Sequence, residues 1–257
     1  MVEDLIIMTP IKVKDYFSGQ ASLYAAFRPT YPPELYDFIF RHLENHNLAW
    51  DCATGNGQVA RALANHFEHV YATDISQQQL DAAVKKENII YSLASAEKTN
   101  FKNDQFDLVT VGQALHWFER VQFYEEVNRV AKSGALVAAW GYGRLYIEPD
   151  IDAVVDNFYS NTVGPYWDTA RRLVEQEYKQ ISFPFMEIAS PKFYISAEWT
   201  PDHLAGYLES WSATQKYIKQ HQRSPVPDVI KALSGLWRDG EIKMVQFPVF
   251  LKLGRVA

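Results

Sequence analysis

Between Asp51 and Leu63 the sequence reads DCATGNGQVARAL: an acid, two glycines one residue apart, then a helical spacing, all directly behind the short apolar run NLAW. A chain that leaves a buried strand and enters a helix within a few residues must turn sharply. Gly55 and Gly57 lack the Cβ that would block a positive φ or a close ligand approach. The helix that follows begins with backbone N–H groups that have no intrahelical partner. Val59, Leu63 and Phe67 recur at helical spacing with small Ala60, Ala62 and Ala64 between them, so this helix is expected to lie close against a sheet. The glycine pair alone is read either as a tight strand-to-helix turn or as a ligand loop.

Outward from this stretch the same alternation continues. ELYDFIFRHLENH, after Pro32 and Pro33, places Leu35, Ile39 and Leu43 on one helix face. VYATD (70–74) reads as a second strand ending on an acid, SQQQLDAAVKK as a helix begun by a serine cap, and IIYSLA as a third strand. FDLVTVG (106–112) and GALVAAWG (134–141) are two further strands, separated by a helical segment carrying Phe123, Val127 and Val130. Strand and helix alternating at this pace predict an α/β doubly wound, mostly parallel sheet. FYISAEW (193–199) and VQFPVFLKL (245–253) read as the last two strands, with helices around Trp211 and Leu236 between them. They would bring the sheet to seven strands with one antiparallel member.

Composition narrows the class. The 257 residues are 47% hydrophobic, enough for one full core, and 25 Lys+Arg against 31 Asp+Glu give a net charge of -6. That balance supplies no global basic field for nucleic acid or an anionic membrane surface. The single cysteine, Cys52, excludes an intrachain disulfide and a multi-cysteine metal site and suits a reducing compartment. The acidic N-terminus has no signal-like apolar run, so a cytoplasmic location, no metal and no membrane partner are expected.

The acids decide between ligands. Gly55 to Ala60 fits G-x-G-x-x-A, the nicotinamide dinucleotide pattern, and Asp74 stands 74 − 57 = 17 residues past Gly57, where it can meet ribose hydroxyls. Two phosphates at the helix N-terminus would, however, be repelled by Asp51. A sulfonium with an α-ammonium group and no phosphate reverses that argument. Glu97, after the third strand, adds a further polar strand end. Three strands ending near Asp51, Asp74 and Glu97 suggest adenosine plus a cationic tail.

With these residues in place, the chain resembles the class I S-adenosylmethionine-dependent methyltransferases, in the UbiE-like group that includes trans-aconitate methyltransferases. DCATGNG is similar to that family's acid-x-Gly-x-Gly-x-Gly motif, with Ala53 where the family has glycine. ATDIS, SAEKTNFKNDQFDLVT and QALHWF correspond to its later segments, and SLYAAFRPTYP and ESWSATQKY extend the likeness toward both ends. The resemblance implies a Rossmann-like methyltransferase fold with a helical cap, S-adenosyl-L-methionine as cofactor and S-adenosyl-L-homocysteine as product. It implies a cofactor loop at Asp51, Ala53, Gly55, Asn56 and Gly57. Asp74 would take the ribose hydroxyls, Ile75 would pack on the adenine, Ala96 and Glu97 would border its edge, and Gln113 would approach the sulfonium. For Asp74 a helix cap, and for Glu97 a solvated acid, remain the plain alternatives. The implied division is a cofactor lid at 1–32, a cofactor-binding core at 33–143, a helical substrate cap at 144–192, and C-terminal strands and helices at 193–257.

The acceptor is expected to be a small molecule, with an organic acid favoured by the aromatic cap and the absence of a basic stripe. Arg28, in the N-terminal segment with Tyr24, is expected to pair with the cofactor carboxylate or to be a surface arginine. Tyr24, Trp117, Tyr142 and Trp211 are candidate pocket walls, and Arg144 and the Arg171/Arg172 pair are candidate cations for an acid. His116, just past the fourth strand, is either a general base for a hydroxyl acceptor or a structural histidine. A sulfonium is already a good leaving group, so alignment and exclusion of water matter more than a base. An NAD-dependent oxidoreductase and a non-catalytic cofactor-binding protein stay open, to be separated by cofactor titration and by an acceptor screen.

Overall fold

The computed structural model describes residues 27–257. Helix α1 (Pro33–Phe40) starts on a proline, whose missing N–H costs nothing at the first turn, and buries Leu35, Tyr36 and Ile39. It stops before Leu43, which follows in a tight turn and is still packed on the core. The nucleus of the sheet is β1 (Leu48–Cys52), paired in parallel with β2 (His69–Asp74) on one side and β4 (Phe106–Gly112) on the other. Beyond β2 lies β3 (Ile89–Leu93), and beyond β4 lies β5 (Ala131–Tyr142). The crossovers include α2 (Gln58–Leu63), α3 (Gln77–Asp81) and α4 (Arg120–Val130). Ser76 caps α3 by accepting from the Gln79 N–H.

After β5 come α5 (Pro149–Asn157), a π-turn at Phe158–Thr162, a 3-10 turn at Gly164–Tyr166 and the short α6 (Arg171–Glu175). The segment expected to be a wholly helical cap ends instead in a strand, β6 (Met186–Ile188). Then follow β7 (Phe193–Trp199), α7 (Pro201–Glu209), α8 (Ser212–His221), α9 (Val226–Leu233) and β8 (Lys243–Arg255). The sheet order is β3-β2-β1-β4-β5-β8-β6, with β7 also on β8. Only β8 runs against the other strands, so the reading of one antiparallel member is borne out, while β6 raises the count from seven to eight. β8 carries Pro248 without a broken ladder because β5 has already ended at the Tyr142–Val249 pair. The Pro248 carbonyl still accepts from Gly143 N.

Both faces of the sheet are covered, and β5 shows it residue by residue. Leu136, Ala138 and Trp140 point into one core with α1, α2, α5 and the helices after β7. Ala135, Val137 and Ala139 point into the other with α4 and the aromatic run around Tyr178, Phe183 and Phe185. Both faces being apolar is why the strands read as continuous hydrophobic runs. The parallel strands all end on the same side, and there Asp51, Asp74 and Gly112 come together.

Candidate active site

At the C-terminal ends of β1, β2 and β4 lies a cavity of about 760 Å³. An open α/β sheet leaves its crevice at this edge, where neighbouring crossovers part. Asp51, Ala53, Gly55, Asn56, Asp74, Ile75, Ala96, Glu97, Gln113, His116 and Trp117 all line it. Gly57, Arg28, Tyr142, Arg144 and Trp211 do not, and Tyr24 lies outside the described residues.

The loop after β1 is built by its acids. Asp51 is 1% exposed, yet its carboxylate accepts from the Thr54 hydroxyl, from Ala60 N at 3.0 Å and from the Thr110 hydroxyl at 2.8 Å. Burial pushes its pKa up to about 6 against the pull of these donors. Asp74 accepts from Gly55 N at 2.8 Å and from Ser76 N at 2.9 Å, so it fixes the glycine loop to the end of β2. The two glycines serve different ends. Gly55, at φ 56, has open room where a Cβ would stand, its nearest neighbour being Gln79 Oε1 at 3.9 Å. At Gly57, φ 80, a Cβ would meet the Tyr91 hydroxyl at 2.3 Å, so this glycine serves turn and packing. Ala53 also holds a left-handed φ of 55, a cost of about 1 to 2 kcal/mol for a residue with a Cβ.

Around the rest of the cavity, Ile75 is 42% exposed, a ledge suited to the face of a flat ring. Glu97 accepts from Glu119 N at 3.0 Å and so steadies the start of α4. Gln113, at φ 55, donates its backbone N–H to the Trp140 carbonyl at 2.8 Å, while its buried Oε1 has no hydrogen-bond partner among the described residues. A cavity with open room at Gly55 and with Asp51 and Asp74 in its lining fits a ligand that carries positive charge.

His116 stands in a 3-10 turn, Leu115–Trp117, with Nδ1 2.8 Å from the Tyr178 hydroxyl. Burial first, and the positive charge of Arg171 second, lower its pKa to about 3. Residues 168–170, next to α6, line the same cavity, whereas Arg171 itself faces a second groove of about 680 Å³. Arg144 lines that second groove too, paired with Asp156 at 2.6 Å, and therefore does not enter the first cavity as its position after β5 had suggested. Arg28 donates to the Tyr142 hydroxyl at 3.0 Å and to the Ser210 carbonyl at 3.1 Å. Trp211 is core, stacked on Phe158. Arg172 is exposed.

Sequence reasoning missed Tyr31, Thr54, Gln58, Gln79, Phe118 and Asp168 as lining residues. A signal existed for Thr54 and Gln58, which sit inside the glycine motif, and for Tyr31, in the quoted RPTYP turn. Asp168, from the cap, left none.

The methyltransferase-domain family matches residues 50–139, from β1 into β5. Over 257 residues the chain is 34% identical to a Dictyostelium discoideum protein described as a methyltransferase, across 97% of this chain and 98% of that one. The chain belongs to the class I S-adenosylmethionine-dependent methyltransferases. A solved structure described as a type II methyltransferase, from Anaeromyxobacter dehalogenans, matches this methyltransferase with a TM-score of 0.83 and 34% identity, over 90% of this chain and 99% of that one. A methyltransferase structure from Anabaena variabilis, at 13% identity and a TM-score of 0.52 over 86% and 98% of the two chains, shares the fold. S-adenosylmethionine is thus the cofactor of this enzyme, and the nicotinamide and non-catalytic readings fall away. No helix among the described residues of the methyltransferase is long and apolar enough to cross a membrane.

Proposed function

We propose that this methyltransferase modifies the carboxylate of a small organic acid, as the resemblance to the trans-aconitate methyltransferase-like group suggests. In this reading Asp51 and the backbone of Ala53, Gly55 and Asn56 face the methionine portion of the cofactor, and Asp74 accepts from the ribose hydroxyls. Ile75 lies on the adenine, Ala96 and Glu97 border it, and the orphaned Gln113 Oε1 faces the sulfonium side. Bound here, the cofactor supplies a methyl group activated by its sulfonium. The protein's part is to align the acceptor, exclude water and need no base. The segments 1–32 and 144–192 act as lid and cap, and Trp117 belongs to the aromatic surroundings of the acceptor.

The observation that carries the acceptor class is His116. Among the described residues it is the one histidine lining the cavity. A ring whose pKa is lowered to about 3 is too weak a base to take a proton from a hydroxyl. A carboxylate is ionised at neutral pH and asks for no such help. The one cation lining the cavity among the described residues is Arg120, whereas Arg171 acts on His116 from the neighbouring groove.

The reading is tested with methyl-labelled cofactor and a panel of carboxylates, phenols and amines. The expected product is an ester whose label mild base releases as methanol. A base-stable product on a phenol or amine overturns the carboxylate assignment. Arg120→Met, at the cation that lines the cavity, is expected to raise the acceptor KM and to leave S-adenosylhomocysteine affinity unchanged.

A further inference from the structure

We propose that Tyr178 is a positioning residue that locks His116 as its Nε2–H tautomer, so that a fixed N–H in the cofactor cavity donates to an oxygen of the methyl acceptor. The identity of that oxygen rests on the carboxylate reading above; the tautomer does not.

The direction of the proton follows from the surroundings of the phenol. Tyr178 is fully buried and comes from a turn 62 residues away in sequence from His116. The one hydrogen-bond partner of its hydroxyl among the described residues is Nδ1 of His116, 2.8 Å away. A buried phenol hydrogen needs an acceptor, and since none but Nδ1 is within reach, the hydroxyl donates to Nδ1 and not the reverse. Burial also pushes the phenol's pKa well up, so it keeps that hydrogen at any working pH. With Nδ1 accepting, the ring's one proton sits on Nε2. A second proton is opposed by burial and by Arg171 on α6. The other charged groups around the cavity are Asp51, Asp74, Glu97, Glu119, Arg120 and Asp168.

A separate observation marks the turn that carries the phenol. Glu177 and Tyr178 both hold left-handed backbone angles, φ 54 and 55, two consecutive residues with side chains where glycine is favoured. Tyr178 N is bonded to the Leu173 carbonyl at 2.9 Å, which fixes the turn at the end of α6. A glycine would relax the backbone but could not supply the hydroxyl. Strain kept at a residue whose side chain reaches into a site is the arrangement expected when placement of that side chain matters.

The N–H serves best on the oxygen of the carboxylate that does not attack. The attacking oxygen then keeps its lone pair for the new C–O bond, the C–S bond electrons leave with sulfur, and His116 keeps its proton throughout.

Nitrogen-15 NMR of the histidine side chains, assigned with His116→Gln, reads the tautomer directly. A single Nε2–H form that does not titrate between about pH 5 and 9 is expected, and Tyr178→Phe is expected to release it into a mixture. In parallel, Tyr178→Phe should raise the acceptor KM about tenfold, the size of one hydrogen bond, with S-adenosylhomocysteine affinity unchanged as the check on folding. His116→Gln, whose amide restores a donor, should keep most activity, and His116→Leu should lose it. An Nδ1–H or titrating ring in the wild type overturns the lock. Equal loss in His116→Gln and His116→Leu overturns the donor role. A base-stable methylated product alongside an Nε2–H ring would sink the carboxylate reading alone.

Discussion

Ala53 stands in the loop between β1 and α2 with a left-handed φ of 55 and a methyl group that this conformation disfavours. Ala53→Gly removes the steric cost but adds chain entropy to the unfolded state, so a net gain of about 0 to 1 kcal/mol is expected in urea denaturation. Ala53→Val, β-branched at the same φ, is expected to lose more than about 1 kcal/mol, and a neutral valine would contradict the left-handed turn. Asp51, two residues before Ala53, is the acid of this stretch. Its folded pKa is raised to about 6, so the folded protein holds its proton more firmly than the unfolded chain. The stability this gives is full below about pH 4 and lost as pH rises through about 6, on the order of 3 kcal/mol. A cationic ligand favours the ionised form. Cofactor affinity is therefore expected to fall as pH drops below about 6, and calorimetry on Asp51→Asn should show that slope flattened.

Where β4 and β5 lie side by side, one glycine governs the site from behind. A Cβ on Gly141 would stand 2.5 Å from Gln113 Oε1 and 2.5 Å from Phe250 Cζ, so Gly141→Ala must displace the side chain that faces the cavity. A loss of about 1 to 3 kcal/mol together with weaker cofactor binding is expected. Gly134→Ala makes the control: φ +80 but nothing within 4 Å, hence backbone strain without an effect on binding. These elements were legible because their signals are local. FDLVTVG and FYISAEW are strands with the bounds the apolar runs predict, and the glycine pair does mark the β1–α2 turn. β6 was not legible, since three residues with no alternation become a strand only by pairing with β8. The same limit holds at the site. Asp51 and Asp74 could be read from their strand ends, whereas the His116–Tyr178 bond and the turn of Arg144 toward Asp156 depend on which way a distant segment folds back.

For the molecule as a whole, β8 is the member every late element depends on. Val249 stands opposite Tyr142 of β5 and opposite Phe193 of β7, and residues 253–255 carry β6. One continuous sheet predicts one cooperative unfolding transition, with tryptophan fluorescence and far-ultraviolet dichroism coinciding; Val249→Pro is expected to destabilise both halves together by about 3 kcal/mol or more. Two separated transitions would show that the halves are independent. The order of synthesis gives this arrangement a temporal meaning. β1 to β5 can assemble while the chain is still emerging from the ribosome, but β6 and β7 have no edge to join until β8, made after both, has slotted in between. The nascent enzyme thus acquires the strand ends that line its cavity first, and its last two parallel strands are secured only once that later strand has been released.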